Sequence, residues 1–272
     1  MKNIIIPVDF SETSEYALKA GAKLAKRHGS TLHVLHMLEL ADSILIKSET
    51  ENTNKMLFLL NVAKRNFESF LDKPYLEGID VKPVVKHYKV FKEVDAVSKE
   101  VNADLIVMGS RGITLQDGIF AGSNAEKMVR NSSTPVMIIK RDPKEFDLNK
   151  VILATAMNPD NVATFKKAMN TLKILGCDVY PVYVNTPGND FISSKEFYEQ
   201  ARMFQAAGGS SDIQFIAGHT VEDGITQYAD EINADLIAIS THARKGLNHF
   251  FRGSISEDLA NRAKLPVMTF KL

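Results

Sequence analysis

Short runs of branched apolar residues alternate along this chain with longer stretches whose apolar positions recur every three or four residues. Lys2–Val8 predicts a buried strand. Ser11–His28 carries Tyr16, Leu18, Ala20, Ala22, Leu24 and Ala25, which predicts an amphipathic helix stopped by Gly29. Thr31–Leu38 reads as a second strand, and Glu49–Leu71 as a longer helix with Pro74 just beyond it. Val81–Tyr88 and Val90–Val101 follow as strand and helix. A strand at Asp104–Met108, a helix at Asn124–Arg130 and a strand at Pro135–Lys140 close the series. The repeated order of strand, helix, strand implies parallel strands joined by crossover helices. Leu105-Ile106-Val107-Met108 does not alternate, as expected of a strand covered on both faces.

The series then starts again, with strands predicted at Val151–Thr155, Asp178–Val184, Asp212–Ala217, Leu236–Ser240 and Val267–Lys271. Asn102-Ala103-Asp104-Leu105-Ile106 recurs as Asn233-Ala234-Asp235-Leu236-Ile237. Gly122-Ser123 returns as Gly253-Ser254, and Pro135-Val136-Met137 as Pro266-Val267-Met268, all displaced by 131 residues. Three matches in one register make this a duplicated unit. The first strands align instead with a displacement of 147, from Ile4 to Val151, so the second copy has lost 16 residues around its second helix. The polar stretch Arg141-Asp142-Pro143-Lys144-Glu145 marks the joint. The expected architecture is α/β: two tandem doubly wound domains, 1–143 and 148–272, each with a five-stranded parallel sheet.

Composition narrows the function. The 272 residues carry 33 basic and 33 acidic side chains, so no overall field draws in nucleic acid or an anionic membrane. The one cysteine, Cys177, excludes an intrachain disulfide and fits a reducing compartment; its setting reads as a packed thiol, with a reactive one as the alternative. The apolar run after Met1-Lys2-Asn3 is too short for a signal-peptide core, and no stretch approaches a membrane span. A cytoplasmic protein is the expectation. The histidines lack metal-ligand spacing: His242 and His249 lie across a loop, and His33 and His36 point to opposite sides of a strand.

The segment after the fourth strand carries the candidate chemistry. Gly109-Ser110-Arg111-Gly112 is followed by nine residues and then by Gly122-Ser123-Asn124, which opens a helix. In open α/β sheets, ligands bind at the carboxyl ends of strands where the strand order reverses. A helix N-terminus there offers unpaired N–H groups, glycines admit a close phosphate, and Ser123 adds a hydroxyl. Gly122-Ser123 is equally an ordinary helix cap. A P-loop is absent, as is a Gly-x-Gly-x-x-Gly fingerprint after the first strand.

Residues 109–123 match Gly-x2-Gly-x9-Gly-(Ser/Thr) in full, and Ile4-Ile5-Ile6-Pro7-Val8-Asp9-Phe10-Ser11-Glu12 is similar to a first strand and acidic turn of the same family. On these residues the chain resembles a universal stress protein of the tandem type, with a Rossmann-like fold that binds adenine nucleotides. The resemblance implies ATP, with Mg²⁺ brought by its phosphates. Gly109, Gly112, Gly122, Ser123 and Asn124 would wrap ribose and phosphates, Asp9 would contact the nucleoside, and Pro7 and Val8 would line the same wall. Met37 and Met108 would pack on adenine, and Arg111 would reach phosphate, at a position where the family often has histidine.

Each assignment has a plainer reading. Asp9 with Glu12 forms a capping-box pattern for the first helix. Met37 and Met108 fit a core, and Arg111 a solvated loop. The second copy has Ala156 for Asp9, Ser240 for Gly109 and Ala243 for Gly112, so it is expected to be silent. ATP-dependent stress signalling is the function implied. The alternatives are a slow ATPase, with Arg111 and Ser123 stabilising charge and Asp117 orienting water, or an assembly module with a vestigial site. The fifth strands are expected to pair within the chain as a pseudo-dimer, and two chains to associate as a homodimer.

Overall fold

The computed structural model describes residues 1–38, 49–87, 90–110, 125, 128–129, 132–143, 147–188, 191–241 and 265–271, with backbone alone at 49–53, 55, 87, 90–92 and 240–241. The first copy runs β1 (Asn3–Val8), α1 (Glu12–His28), β2 (Thr31–Leu38), α2 (Glu49–Leu71), β3 (Val81–His87), α3 (Val90–Glu100), β4 (Leu105–Gly109) and β5 (Val136–Ile139). Ala125, Met128 and Val129, between β4 and β5, are helical. The second runs β6 (Lys150–Ala154), α4 (Val162–Ile174), β7 (Asp178–Asn185), α5 (Ser194–Ala206), β8 (Gln214–Ala217), α6 (Val221–Ile232), β9 (Leu236–Thr241) and β10 (Val267–Lys271).

These strands form one ten-stranded sheet in the order β3-β2-β1-β4-β5-β10-β9-β6-β7-β8. Neighbours are parallel within each half, and the halves join where β5 meets β10 antiparallel. Met137 pairs with Met268, flanked by Val136 with Thr269 and Ile138 with Val267. Met137 and Met268 are also partners in the 131-residue repeat, so the pseudo-twofold axis passes between them. Both are fully buried. Joining two edge strands in this way removes two open ladders from solvent.

One face of the sheet carries a single core across both halves. Ala17, Leu18 and Leu24 of α1 join it, with Phe67 and Phe70 of α2, Phe165 and Leu172 of α4, and Phe197 and Phe204 of α5. The opposite face has two separate cores, one under Val94 and Val97 of α3 and one under Ile225 and Ala229 of α6. Helices on both faces satisfy the doubly wound expectation.

The letter-for-letter repeat has a structural cause. Asn102 (φ 49°) and Asn233 (φ 52°) both adopt the left-handed conformation that ends the preceding helix, one that asparagine tolerates. Asp104 accepts hydrogen bonds from the N–H groups of Lys2 and Asn3, and Asp235 accepts from those of Asn149 and Lys150. Each aspartate thus satisfies two backbone donors at the start of its domain's first strand. Even a substitution keeps the pattern: Asn3 Nδ2 donates to the Val101 carbonyl, and Lys150 Nζ donates to the Ile232 carbonyl. The missing 16 residues fall between the end of β2 or β7 and the start of α3 or α6. Ten of them are accounted for by α2, with 23 residues against 13 in α5.

Cys177 occupies the position of Ser30 at the entrance to β7. It is buried, and desolvation pushes its thiol up to about 11. That environment favours the unreactive thiol.

Candidate functional site

The first copy's chain goes from β1 outward to β2 and β3, then returns to β4 on the other side of β1. The carboxyl ends of β1 and β4 therefore flank the point where strand order reverses. Ile5 lies beside Ile106 in this pair. Three residues further on, Val8 and Gly109 arrive at the same edge of the sheet, with Met37 on β2 one step past the Val8–His36 pair.

Strand alternation sorts the residues between faces. Met37 and Met108 belong to the core under α3, together with Ile5, Leu35 and Ile106. Both are nearly buried, so the two methionines are brought together as core side chains. Pro7, half-buried, alternates onto that same face, whereas Val8 packs on the α1 side. The sequence expectation that Pro7 and Val8 line one wall thus splits them across the sheet.

Asp9 leaves β1 into a tight elbow. Its Oδ1 accepts from the Ser11 N–H at 3.0 Å and from the Ser11 hydroxyl at 2.5 Å. Ser11, in turn, caps α1 by accepting from the Ser14 N–H. The capping-box alternative for Asp9 and Glu12 is therefore corrected: the cap is Ser11, and Asp9 braces it from one shell out. A carboxylate at this position also sits beside the N-terminal turn of α1, whose dipole favours negative charge.

Between them, Phe10 has φ 63°, a conformation rare for a bulky residue. Packing holds it there. Its ring lies 4.4 Å from His36, 5.2 Å from Phe67 and 5.4 Å from Phe70, centroid to centroid. His36 donates from Nδ1 to the Val8 carbonyl at 2.9 Å, fixing the ring under the elbow. Nothing in the sequence signals this arrangement. Its counterpart Met157 has φ 51°, so both copies build the elbow and it belongs to the fold rather than to a ligand.

Gly109 has a reason of its own to lack a side chain. A β-carbon there would stand 2.6 Å from the Thr13 carbonyl oxygen and 2.8 Å from its carbon. The first turn of α1 thus presses directly on the end of β4. Beyond it, the Ser110 N–H donates to the Ile139 carbonyl at 3.0 Å, and Ile139 pairs with Gly109. Lys140 comes next. Burial, assisted by Arg141, lowers its ammonium to about 8. A desolvated cation one residue past the Gly109–Ile139 pair was not evident from sequence. Lys140 could have been found from the strand register alone, since it follows the strand that flanks β4.

Arg111, Gly112, Gly122, Ser123 and Asn124 lie outside the described residues, as do Asp117 and Ala243. Among the described residues, no group of three or more His, Cys, Asp or Glu gathers as metal ligands, and no helix is long and apolar enough to cross a membrane.

Comparison with known proteins covers nearly the whole chain. The universal stress protein family matches twice, over residues 1–140 and 148–271. Universal stress protein Slr1230 of Synechocystis is 23% identical, with 100% of both chains covered. Universal stress protein MJ0577 of Methanocaldococcus jannaschii is 31% identical, over 52% of this chain and 95% of its own length. The crystal structure of a universal stress protein from Archaeoglobus fulgidus superposes with a TM-score of 0.65 at 23% identity, covering 99% of this chain and 96% of that one. At that identity the superposition speaks for the fold.

Proposed function

We propose that this chain, which belongs to the universal stress protein family, binds ATP in its first domain and acts through that occupancy in stress signalling. One observation carries the reading. The only full Gly-x2-Gly-x9-Gly-Ser pattern in the sequence, Gly109 to Ser123, begins on the last residue of β4, beside the end of β1 at the strand-order reversal. Residues 1–143 form the nucleotide-competent unit, and residues 148–272 the degenerate one. Asp9 serves the nucleoside end. Gly112, Gly122, Ser123 and Asn124 serve the ribose and phosphates, Arg111 adds a cation, and Mg²⁺ enters with the triphosphate. Lys140 adds positive charge near the same edge, which favours an anion.

The degenerate half supports the asymmetry. Position 156 is alanine, and position 240 is serine. Equilibrium dialysis with ATP tests this reading, with one site per chain expected. Gly112→Val is expected to weaken binding by about tenfold or more while leaving the unfolding transition in place. Two equivalent sites, or undiminished affinity in that variant, would overturn it. Binding without turnover is the favoured outcome, because the sequence offers no evident water-orienting carboxylate, Asp117 in the loop being the nearest candidate. Single-turnover phosphate release, with Asp117→Asn as control, separates holding ATP from hydrolysing it. We place the protein in the cytoplasm, with no nucleic-acid partner.

A further inference from the structure

The two edges of the ten-stranded sheet are built differently. β3 forms one edge and β8 the other. β3 carries Lys82, Pro83 and Lys86, two cations and a residue without a ladder donor, which together discourage a further strand. β8 reads Gln214-Phe215-Ile216-Ala217, with neither a charge nor a proline. Gln214, Phe215 and Ala217 are exposed, Phe215 by 37%. Among the described residues no strand pairs with the outer side of β8. Its outward row of N–H and C=O groups is completed by an extended chain.

The helices flanking β8 select that chain. Phe215 packs on Phe197 of α5, with ring centroids 4.6 Å apart, so it faces α5. Tyr198, the next residue of that helix, is 62% exposed. Lys195, three residues before Tyr198, and Arg202, four after it, share its ridge. Both cations are exposed, and neither forms an ion pair among the described residues. Arg202 Nε donates to the Tyr198 carbonyl at 3.2 Å, which holds the guanidinium along the ridge. α6, on the opposite face of the sheet, has no Lys or Arg and exposes Gln227, Asp230 and Glu231. Alternate side chains of an added strand point to opposite faces, so only one set of them meets the cations. Lys195 and Arg202 stand about 10 Å apart along the helix. Side chains four residues apart on a strand share a face at about 13 Å, a difference that long carboxylate side chains span.

We propose that β8 accepts an extended acidic peptide of a partner protein as an eleventh strand. Acidic residues at positions i and i+4 of the peptide meet Lys195 and Arg202, and an apolar residue at i+2 rests on Tyr198 and Phe215. A second copy of this chain fits poorly. Pairing β8 with β8 about a twofold sets the two α5 ridges side by side, cation against cation. The site lies in the second domain and is independent of the ATP reading.

Fluorescence anisotropy of a fluorescein-labelled peptide, Thr-Glu-Thr-Val-Thr-Glu-Thr, titrated with the full chain tests the proposal. Binding is expected. Replacing both glutamates of the peptide with lysine should weaken it by about tenfold or more. Lys195→Glu combined with Arg202→Glu should weaken the original peptide equally and bind the lysine peptide instead, a reversal that no folding defect produces. ATP affinity should not change in that double variant. Peptides N-methylated at alternate residues report on the backbone. Methylation along one edge should abolish binding, and methylation along the other should leave it intact. Hydrogen exchange at the β8 amides should slow when the peptide is added. No anisotropy change at millimolar peptide would overturn the proposal. So would binding indifferent to methylation along both edges, which is charge attraction without a strand, or displacement of the peptide by a tighter-binding oligouridylate, which would give the aromatic and cationic ridge to nucleic acid.

Discussion

The two halves agree in their framework and differ at one edge. They share the left-handed asparagine before β4 and β9, the aspartate that satisfies the first strand's donors, and the strained residue after that strand. They differ at Asp9 against Ala156 and at Gly109 against Ser240. What both copies keep is required to fold. What only one keeps is the candidate for function, and this separation is more informative than any motif taken singly. Gly109 qualifies it, because Thr13 of α1 already excludes a side chain there. A glycine can belong to a ligand motif and to a helix contact at once.

The axis between the halves offers the severest way to break the comparison. Met137→Asp would bury an unpaired carboxylate on the pseudo-twofold, at a cost of roughly 4–5 kcal/mol. Met268→Asp should cost the same, because the two side chains are equally buried and paired with each other. Urea unfolding measures both. A large inequality would mean that the halves do not share this seam equally.

Next in size is an exchange at the glycine. Gly109→Ala forces the Thr13 carbonyl to move, so the nucleotide-free protein should lose about 1–3 kcal/mol. The reverse change in the other half, Ser240→Gly, should cost less than about 1 kcal/mol. If Gly109→Ala removes ATP affinity while nucleotide-free stability stays put, the helix contact is the wrong explanation for this glycine.

The repeated aspartates sharpen the shared side. Asp104→Ala and Asp235→Ala should each cost about 1 kcal/mol and add when combined, since each frees two backbone donors far from the other. Neither should alter ATP affinity. An effect of Asp104→Ala on binding would move that residue from framework to function.

The framework was legible because its signals are local. Periodicity gave the strands and helices, and the offsets of 131 and 147 gave the duplication and the place of the lost residues. The β5–β10 seam was implied by the family resemblance, and the need to cover apolar edges agrees with it. The elbow was hidden for a physical reason: a phenylalanine at φ 63° has no sequence signal, because only its neighbours His36, Phe67 and Phe70 stabilise it. Asn102 at φ 49° sits in the same region, but asparagine announces it. The spacing from Asp9 to Glu12 offers a cap as the plainer alternative to a nucleoside contact. The cap fell to Ser11, since the elbow turns the chain once more before α1 begins. The glycine pattern was legible as a motif, but the role of its first member in seating α1 on β4 was not, because Thr13 meets Gly109 only in the folded chain.

The smallest expected difference is in acid sensitivity, and it also divides the halves. Burial, assisted by Lys82, lowers the His33 imidazole below its ordinary 6.5, while Asp80 opposes the shift. Its Nε2 lies 3.2 Å from Asn3 Oδ1, so the neutral ring donates there. Burial also lowers His28, with the N-terminal amine and Arg27 adding to the effect. The matching positions of the second half are Tyr180 and Leu175, which do not titrate in this range. Below 6.5 the unfolded chain takes up protons that the folded histidines refuse. Their contribution is therefore complete above that value and is lost as pH falls through the lower folded value. Urea midpoints should drop between about pH 7 and pH 5, and His33→Gln should flatten part of that slope. Gln keeps a donor for Asn3 and removes only the titration. An unchanged slope in that variant would assign the acid sensitivity to His28 or to the carboxylates, not to the first-domain strand pair.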